Sequence, residues 1–409
     1  RRGAADLQGS GEMTLSHRQF LRTLSVASAL LGVLALGGCG GGDSDAAASG
    51  EATQDGGAWK WALPAGFPTP AVPASNTMSV AKIDLGRHLF YDKRLSGNGQ
   101  QACAGCHLQD KAFTDGVPVS RGSTGEFTPR NAQSLGNVAY NPLLTWANPS
   151  LLVLERQMEV PLFGENPIEM GINESNKAAV LQRLADAATY QGKFAAAYPG
   201  EASPVSWSNV IKAIAAFQRS LISGNSRYDQ MLVGSAVFTP SEQRGRELFF
   251  GDKAGCSRCH NGFNFNDQVV DAATVVVSTP FHNIGLYNVG GTGAYPEPNR
   301  GVMELSGLFK DMGAFRAPSL RNVAVTAPYM HDGSVATLEE VVDIFAEGGR
   351  NVTTGPYAGD GRLNPYKSAL IRPLGLTAQD KADLVAFLRT LTDTRFLTDP
   401  RHADPFKAP

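Results

Sequence analysis

Apolar residues recur at close to helical spacing in three stretches of this chain: VLQRLADAATYQGKFAAAY at 180–198, NVIKAIAAFQRSLIS at 209–223 and TAQDKADLVAFLRTL at 377–391. Such a stripe buries one face when the segment winds at the helical period. A fourth stretch, TLEEVVDIFAEGG, has Thr337 at its head, Glu340 three places on and two glycines at its end. Those are the marks of a capped and terminated helix. Thr239-Pro240-Ser241 opens another. Strand-like runs are few; TVVVS at 274–278 is one. The pattern predicts a mainly α fold with long loops and little β.

The pattern is also doubled. GRHLFYDKRLSGNGQQACAGCH at 86–107 has an echo in GRELFFGDKAGCSRCH at 245–260. PRNAQSLGNVA at 129–139 returns as FRAPSLRNVA at 315–324, and AAFQRSLIS at 215–223 as VAFLRTLTD at 385–393. The echoes keep their order, so the chain reads as an internal duplication. Two homologous domains are expected, 59–235 and 236–400, with 401–409 as a tail.

Composition supports two domains. The 409 residues are 42% hydrophobic and 18% charged, enough apolar material for two cores. The net charge of -2 and the lack of a basic stripe exclude nucleic acid as a partner. The 45 glycines and 24 prolines fit many turns and long connections. Near the N-terminus, a basic stretch from His17 to Arg22 precedes an apolar run from Leu24 to Leu36, too short for a spanning helix. Leu36-Gly37-Gly38-Cys39 resembles a bacterial lipobox, which would make Cys39 the lipidated first residue. The alternative is an ordinary cleaved signal peptide with a free cysteine nearby. Met13 is the expected start, 13–38 the signal peptide, 1–12 non-native upstream residues and 39–58 a flexible tether. The expected location is the periplasm, anchored to the outer membrane as a lipoprotein, with the lipid as the sole membrane attachment.

The other four cysteines carry the chemistry. Residues 103–107 read CAGCH and 256–260 read CSRCH. In a c-type haem site two thiols add to the porphyrin vinyl groups, and the adjacent His ligates the iron. A redox dithiol, a zinc knuckle or chance could leave a lone CxxC. Zinc wants four ligands close together, and these pairs lie far apart in sequence. With His107 and His260 both in place, the reading is two covalent haems, held by Cys103, Cys106, Cys256 and Cys259.

Together with KAFTDG, NPIEMG, APSLRNVAVTAPYMHDG and TLEEVV, the two CxxCH halves make the chain resemble bacterial di-haem cytochrome c peroxidases and MauG, over roughly residues 59–400. LTWANP, PLFGENP, FHNIGLYN, GTGAYP and GPYAGDG resemble most the MbnH branch, di-haem enzymes paired with a copper-binding protein. The resemblance implies an enzyme in which hydrogen peroxide reacts at the N-terminal haem and the C-terminal haem handles electrons. It matches Glu169 to the distal acid–base, Gln157 to a second distal polar residue, and Trp146 to an inter-haem tryptophan that relays oxidising equivalents. It matches Asn131, with the carbonyls of Thr326 and Pro328, to a calcium site, whose hard oxygen donors suit that ion.

Two departures stand out. Relatives carry a ligating His about fifteen residues after the first CxxCH; here 108–126 contains no His, Met or Tyr, and Gly122 or Ser123 fills the place. The first iron is therefore expected to be five-coordinate. At the second haem, Phe345 stands where a Met or Tyr ligand is expected. Tyr329, Met330 or Tyr357 substitutes, or that iron has no sixth protein ligand. His282 and His331 are expected to be structural or to support a haem site from behind its ligands, Trp207 to be core, and His88 and His402 to lie at the surface. The oxidised partner is a copper-binding protein, or the donor is a small cytochrome c or cupredoxin that feeds peroxide detoxification. A non-catalytic di-haem carrier is the third reading, which Glu169 and the open loop disfavour.

Overall fold

The computed structural model describes residues 59–407. The expected signal peptide, Cys39 and the tether lie outside that range. Among the described residues no helix is long and apolar enough to cross a membrane.

The fold is helical. In chain order the α-helices are α1 Val80–Tyr91, α2 Leu154–Gln157, α3 Glu159–Phe163, α4 Lys177–Asp186, α5 Lys193–Ala197, α6 Trp207–Arg219, α7 Arg227–Leu232, α8 Pro240–Phe250, α9 Met303–Ser306, α10 Leu338–Glu347, α11 Ala378–Arg389 and α12 Thr394–Thr398. A two-residue antiparallel pair, β1 Asn351–Val352 and β2 Gly359–Asp360, is the sheet among them. The caps fall where the sequence predicts. The Thr239, Thr337 and Thr377 side chains accept from the third amides of α8, α10 and α11. The Thr337 cap differs in one detail, because Glu340 turns to the Ala336 amide. α10 ends at Gly348, in the left-handed region at φ 75°.

Two expectations change. The 180–198 stripe is not one helix: the chain leaves α4 at an extended Ala187 and restarts at Gly192. Between them Tyr190 is buried and gives its hydroxyl to Asp92 at 2.7 Å, a tertiary bond that the helical period could not show. TVVVS is an exposed loop, with Val275 94% and Val276 84% accessible; among the described residues no strand pairs with it.

The duplication is physical. α1 crosses α6, and α8 crosses α11, at a glycine in each case. A Cβ on Gly86 would sit 1.9 Å from the Ala213 carbonyl oxygen, and one on Gly245 would sit 1.9 Å from that of Asp383. Glycine inside a helix costs about 1 kcal/mol relative to alanine; here it permits backbone contact. The second echo docks on the third in both halves: the Asn137 amide gives to Leu221 at 2.8 Å, and the Asn322 amide to Leu391 at 2.9 Å. These loops also meet each other, through Asn322 to Ser223 (3.0 Å) and Ser223 to Asp393 (3.2 Å).

The two cores exchange segments. Tyr228 and Met231 of α7, before residue 235, pack in the second core with Phe249, Phe265 and Phe387. Phe396 of α12 packs in the first core with Phe90, Phe113 and Phe217. The terminal segment follows it. His402 is buried rather than at the surface, edge-on to Phe396 at 5.4 Å, and its carbonyl accepts from Tyr91. Phe396 of α12 and Tyr91 of α1 both reach this residue, which a solitary polar letter does not disclose. His88 is half-buried.

Candidate active site and haem pockets

Each CxxCH begins with one 3-10 turn, Cys103–Gly105 and Cys256–Arg258. The turn brings the His amide back to the first cysteine carbonyl, at 3.1 Å in the first site and 3.0 Å in the second. Each imidazole then bonds a backbone carbonyl through Nδ1: His107 to Phe113 at 2.7 Å, His260 to Phe265 at 3.1 Å. That contact orients the ring and leaves Nε2 for iron. Phe113 and Phe265 share a left-handed backbone, φ 64° and 52°. Burial pushes the Cys103 and Cys256 thiols up to about 12 and the Cys106 thiol up to about 11. Among the described residues the one cluster of three possible metal-ligating groups is Cys259, Asp267 and His282, which is not a four-ligand zinc site. His282 bonds Asp267 at 2.6 Å, and that hydrogen bond, with one to Cys259, pushes the imidazole up to about 10.

The wall beside the first site comes from α2, α3 and the segment after them. The buried Arg219 of α6 grips Glu155 of α2 with two hydrogen bonds, 2.7 and 2.6 Å, which fixes the helix that carries Gln157. Residues 170–172 then run back along α3, with Met170 bonded to Pro161 and Ile172 to Leu162. Met158, Leu162 and Met170 share a core with Cys103 and Ala104. Glu169 is half-buried here. Burial pushes its carboxyl up to about 6, and its charge in turn helps raise both thiols, Cys103 and Cys106. The loop at 108–126, where the family resemblance led to the expectation of a ligating His, is fastened to this segment. Ser123 gives its amide to the Glu169 carbonyl at 2.7 Å, and a Cβ on Gly122 would lie 1.9 Å from the Ile168 oxygen. Backbone packing fills the place.

The second site opens into a cavity lined by His260, Cys256 and Cys259 and by residues of both halves. Trp146 lies in its wall and gives its indole N–H to the Asn131 carbonyl at 2.9 Å. The Asn131 amide gives to His331 across the halves, and the Arg316 amide gives to Trp146. Asn131, Thr326 and Pro328, the three residues expected at a calcium site, all line this cavity. Phe345 lines it too, with Tyr329 and Met330, whereas Tyr357 does not. Tyr329 is engaged with the Val323 carbonyl at 3.0 Å. His331 stacks on Phe315 at 3.8 Å, and burial pushes its imidazole down to about 4. Trp207 packs on the first core, edge-on to Phe163.

Residues 80–237 match the model of the di-haem cytochrome c peroxidase family. Over 355 residues the chain is 35% identical to the cytochrome-c peroxidase IdrP1 of Denitromonas iodatirespirans, covering 83% of this chain and 88% of the relative. This chain belongs to the di-haem cytochrome c peroxidase family. It is 31% identical over 362 residues to the methylamine utilization protein MauG of Methylorubrum extorquens, 86% of this chain and 92% of that one. Among solved structures, a MauG-like protein associated with microbial copper homeostasis is 56% identical, with a TM-score of 0.85, covering 86% of this chain and all (100%) of that one.

Membership in a di-haem family implies two haems c, and the residues fit them. Both CxxCH turns present two thiols and an oriented imidazole. Arg316 is a sharper test: it is buried, lines the second cavity, and bonds Gln133, yet its Nη1 has no partner among the described residues. A buried unpaired guanidinium N–H is costly, and an acidic group on the porphyrin edge would satisfy it. Burial pushes Arg316 down to about 10. Sequence reasoning missed this residue; the available signal was that Arg316 stands at the place of Asn131 in the repeat.

Proposed function

We propose that this protein is an exported enzyme that reduces hydrogen peroxide at its N-terminal haem and passes the oxidising equivalents, by way of Trp146 and the second haem, to a partner protein. The observation that carries the reading is Glu169, a carboxyl raised to about 6 by burial beside the first CxxCH. When bound there, a c-type haem supplies an oxidisable iron. As a carboxylate, Glu169 takes a proton from one peroxide oxygen and delivers it to the other, which leaves as water. Gln157, on the anchored α2, supplies an amide to hold peroxide on that wall. Trp146 offers an oxidisable ring in the wall of the second cavity. Asn131 with Thr326 and Pro328 holds a calcium ion that clamps the two halves around that ring.

The likeness at 56% identity to a MauG-like protein associated with copper homeostasis favours a copper-binding protein as the partner. The likeness at 35% identity to a cytochrome-c peroxidase favours the second reading, peroxide removal with a small cytochrome or cupredoxin as donor. A Cys39 lipid anchor places either activity in the periplasm. The test is an optical and EPR titration of the purified di-haem protein with peroxide. Both haem spectra changing with about one equivalent, without prior reduction, supports the proposal. A spectrum unchanged until an electron donor is added overturns it.

A further inference from the structure

Trp146 is not the only oxidisable ring at the second cavity. Tyr295 also lines it and is buried at 4% exposure. Its ring lies 5.5 Å from Tyr287, centroid to centroid, and Tyr287 lies 6.1 Å from Tyr357. Tyr357 is 44% exposed. Three tyrosines thus run in ring contact from the cavity wall to the surface. Tyr357 is the residue that fails to reach the cavity as a haem ligand, and this series is where it stands instead.

The hydrogen bonds give the series a direction. Tyr295 donates to the amide oxygen of Asn283 at 2.9 Å and accepts from the Leu286 amide at 3.1 Å. An amide is a poorer proton acceptor than a carboxylate, so Tyr295 gives up its proton less readily on oxidation and is the stronger oxidant of the two. Tyr287 instead donates to the Asp332 carboxylate at 2.7 Å. A carboxylate can take the phenolic proton as the electron leaves, which makes Tyr287 easier to oxidise and a lower resting place for the hole. Arg350 lies 5.9 Å from the Tyr287 ring and opposes this; Asp332 is nearer and bonded to the oxygen that must lose the proton. At Tyr357 the proton can go to water.

We propose that Tyr295, Tyr287 and Tyr357 form an electron path between the second haem and the surface, with Tyr357 as the point at which an external protein donor is oxidised. The inference rests on the proposed peroxide reaction. Each step moves one electron inward: Tyr295 fills a vacancy on the oxidised haem, Tyr287 fills Tyr295, Tyr357 fills Tyr287, and the donor fills Tyr357. The Tyr287 proton shifts to Asp332 as the electron leaves and returns when the ring is refilled. Two electrons delivered in this way, together with two protons taken up from solvent at the peroxide site, reduce one peroxide to two waters. Steps between touching rings replace one long transfer through protein, whose rate would fall steeply with distance.

The path is tested on the di-haem protein treated with peroxide without any partner, in the presence of a nitroso spin trap. The haem spectrum and the trapped peptides, located by mass spectrometry, are read together. A trap adduct on Tyr357 is expected in the wild type. It should be lost in Tyr287→Phe and in Tyr357→Phe, while the haem spectrum still responds to peroxide as in the wild type. Asp332→Asn should diminish the Tyr357 adduct as well, because it removes the proton acceptor and keeps the ring. A haem response with no adduct on Tyr357, or an undiminished adduct in Tyr287→Phe, overturns the path and leaves the peroxide reaction standing. A haem spectrum that ignores peroxide overturns both.

Discussion

The indole nitrogen of Trp146 is 2.9 Å from the carbonyl oxygen of Asn131, and the same Asn131 reaches across to His331 through its amide. The ring is therefore held by the contact between the two halves and not by its own loop alone. Trp146→Phe keeps a ring but raises the cost of oxidising it and removes that bond. Peroxide should still react at the first haem, whereas the spectral change at the second haem should lag behind it. Stopped-flow spectra separate the two events; simultaneous change at the wild-type rate would return Trp146 to a packing role.

Glu169 should set a pH limit. Its carboxyl is raised from 4.5 to about 6 by burial, so the folded protein holds this proton through a window in which the unfolded chain has lost it. Two consequences follow. The peroxide reaction, which needs the carboxylate, should fall as pH drops through about 6. Folding stability from this group should instead decline as pH rises from about 4.5 to about 6, because ionisation there costs more in the folded state. In Glu169→Gln the reaction should be slower by about 100- to 10,000-fold and lose that pH step. A wild-type rate in the variant would remove Glu169 from the chemistry.

Gly86→Ala and Gly245→Ala should behave alike although 159 positions separate them in the sequence. Each new methyl meets a carbonyl oxygen of the crossing helix at 1.9 Å, so the helices must part. Overpacking of this kind costs about 1–3 kcal/mol. Denaturant midpoints should fall in both variants. An unchanged midpoint in either would mean that the crossing is looser than the backbone contact indicates.

The first iron should be high-spin in the oxidised protein as purified. The loop at 108–126 brings no His, Met or Tyr, and Gly122 and Ser123 are packed by backbone against Ile168 and Glu169. EPR with a high-spin ferric component is the expected result; wholly low-spin spectra would show that another side chain closes the site. In Ser123→His, a restored imidazole should convert part of that signal to low spin.

The chemistry-bearing residues were legible because their function is written in local spacing. CAGCH and CSRCH need only one turn to set two thiols and an imidazole, and that turn forms the same way in both halves. The helix caps at Thr239, Thr337 and Thr377 are equally local, a side chain bonding an amide three residues on. The duplication was legible as repeated letters, down to the glycines of the helix crossings.

What the tertiary structure decided is everything that depends on residues distant in the chain. Tyr190 breaks a periodic stripe because Asp92 waits for it across the core. Phe396 and Tyr228 each join the core of the other half, which no repeat boundary foretells. His402 is buried only because α12 brings the end of the chain back onto α1. The second cavity is built by Trp146 and Asn131 from one half with Arg316, His331 and Tyr295 from the other. Sequence spacing carries information about the next turn of the backbone; burial, the raised Glu169 carboxyl and the ring series from Tyr295 to Tyr357 arise from packing, which is settled once the whole chain has folded.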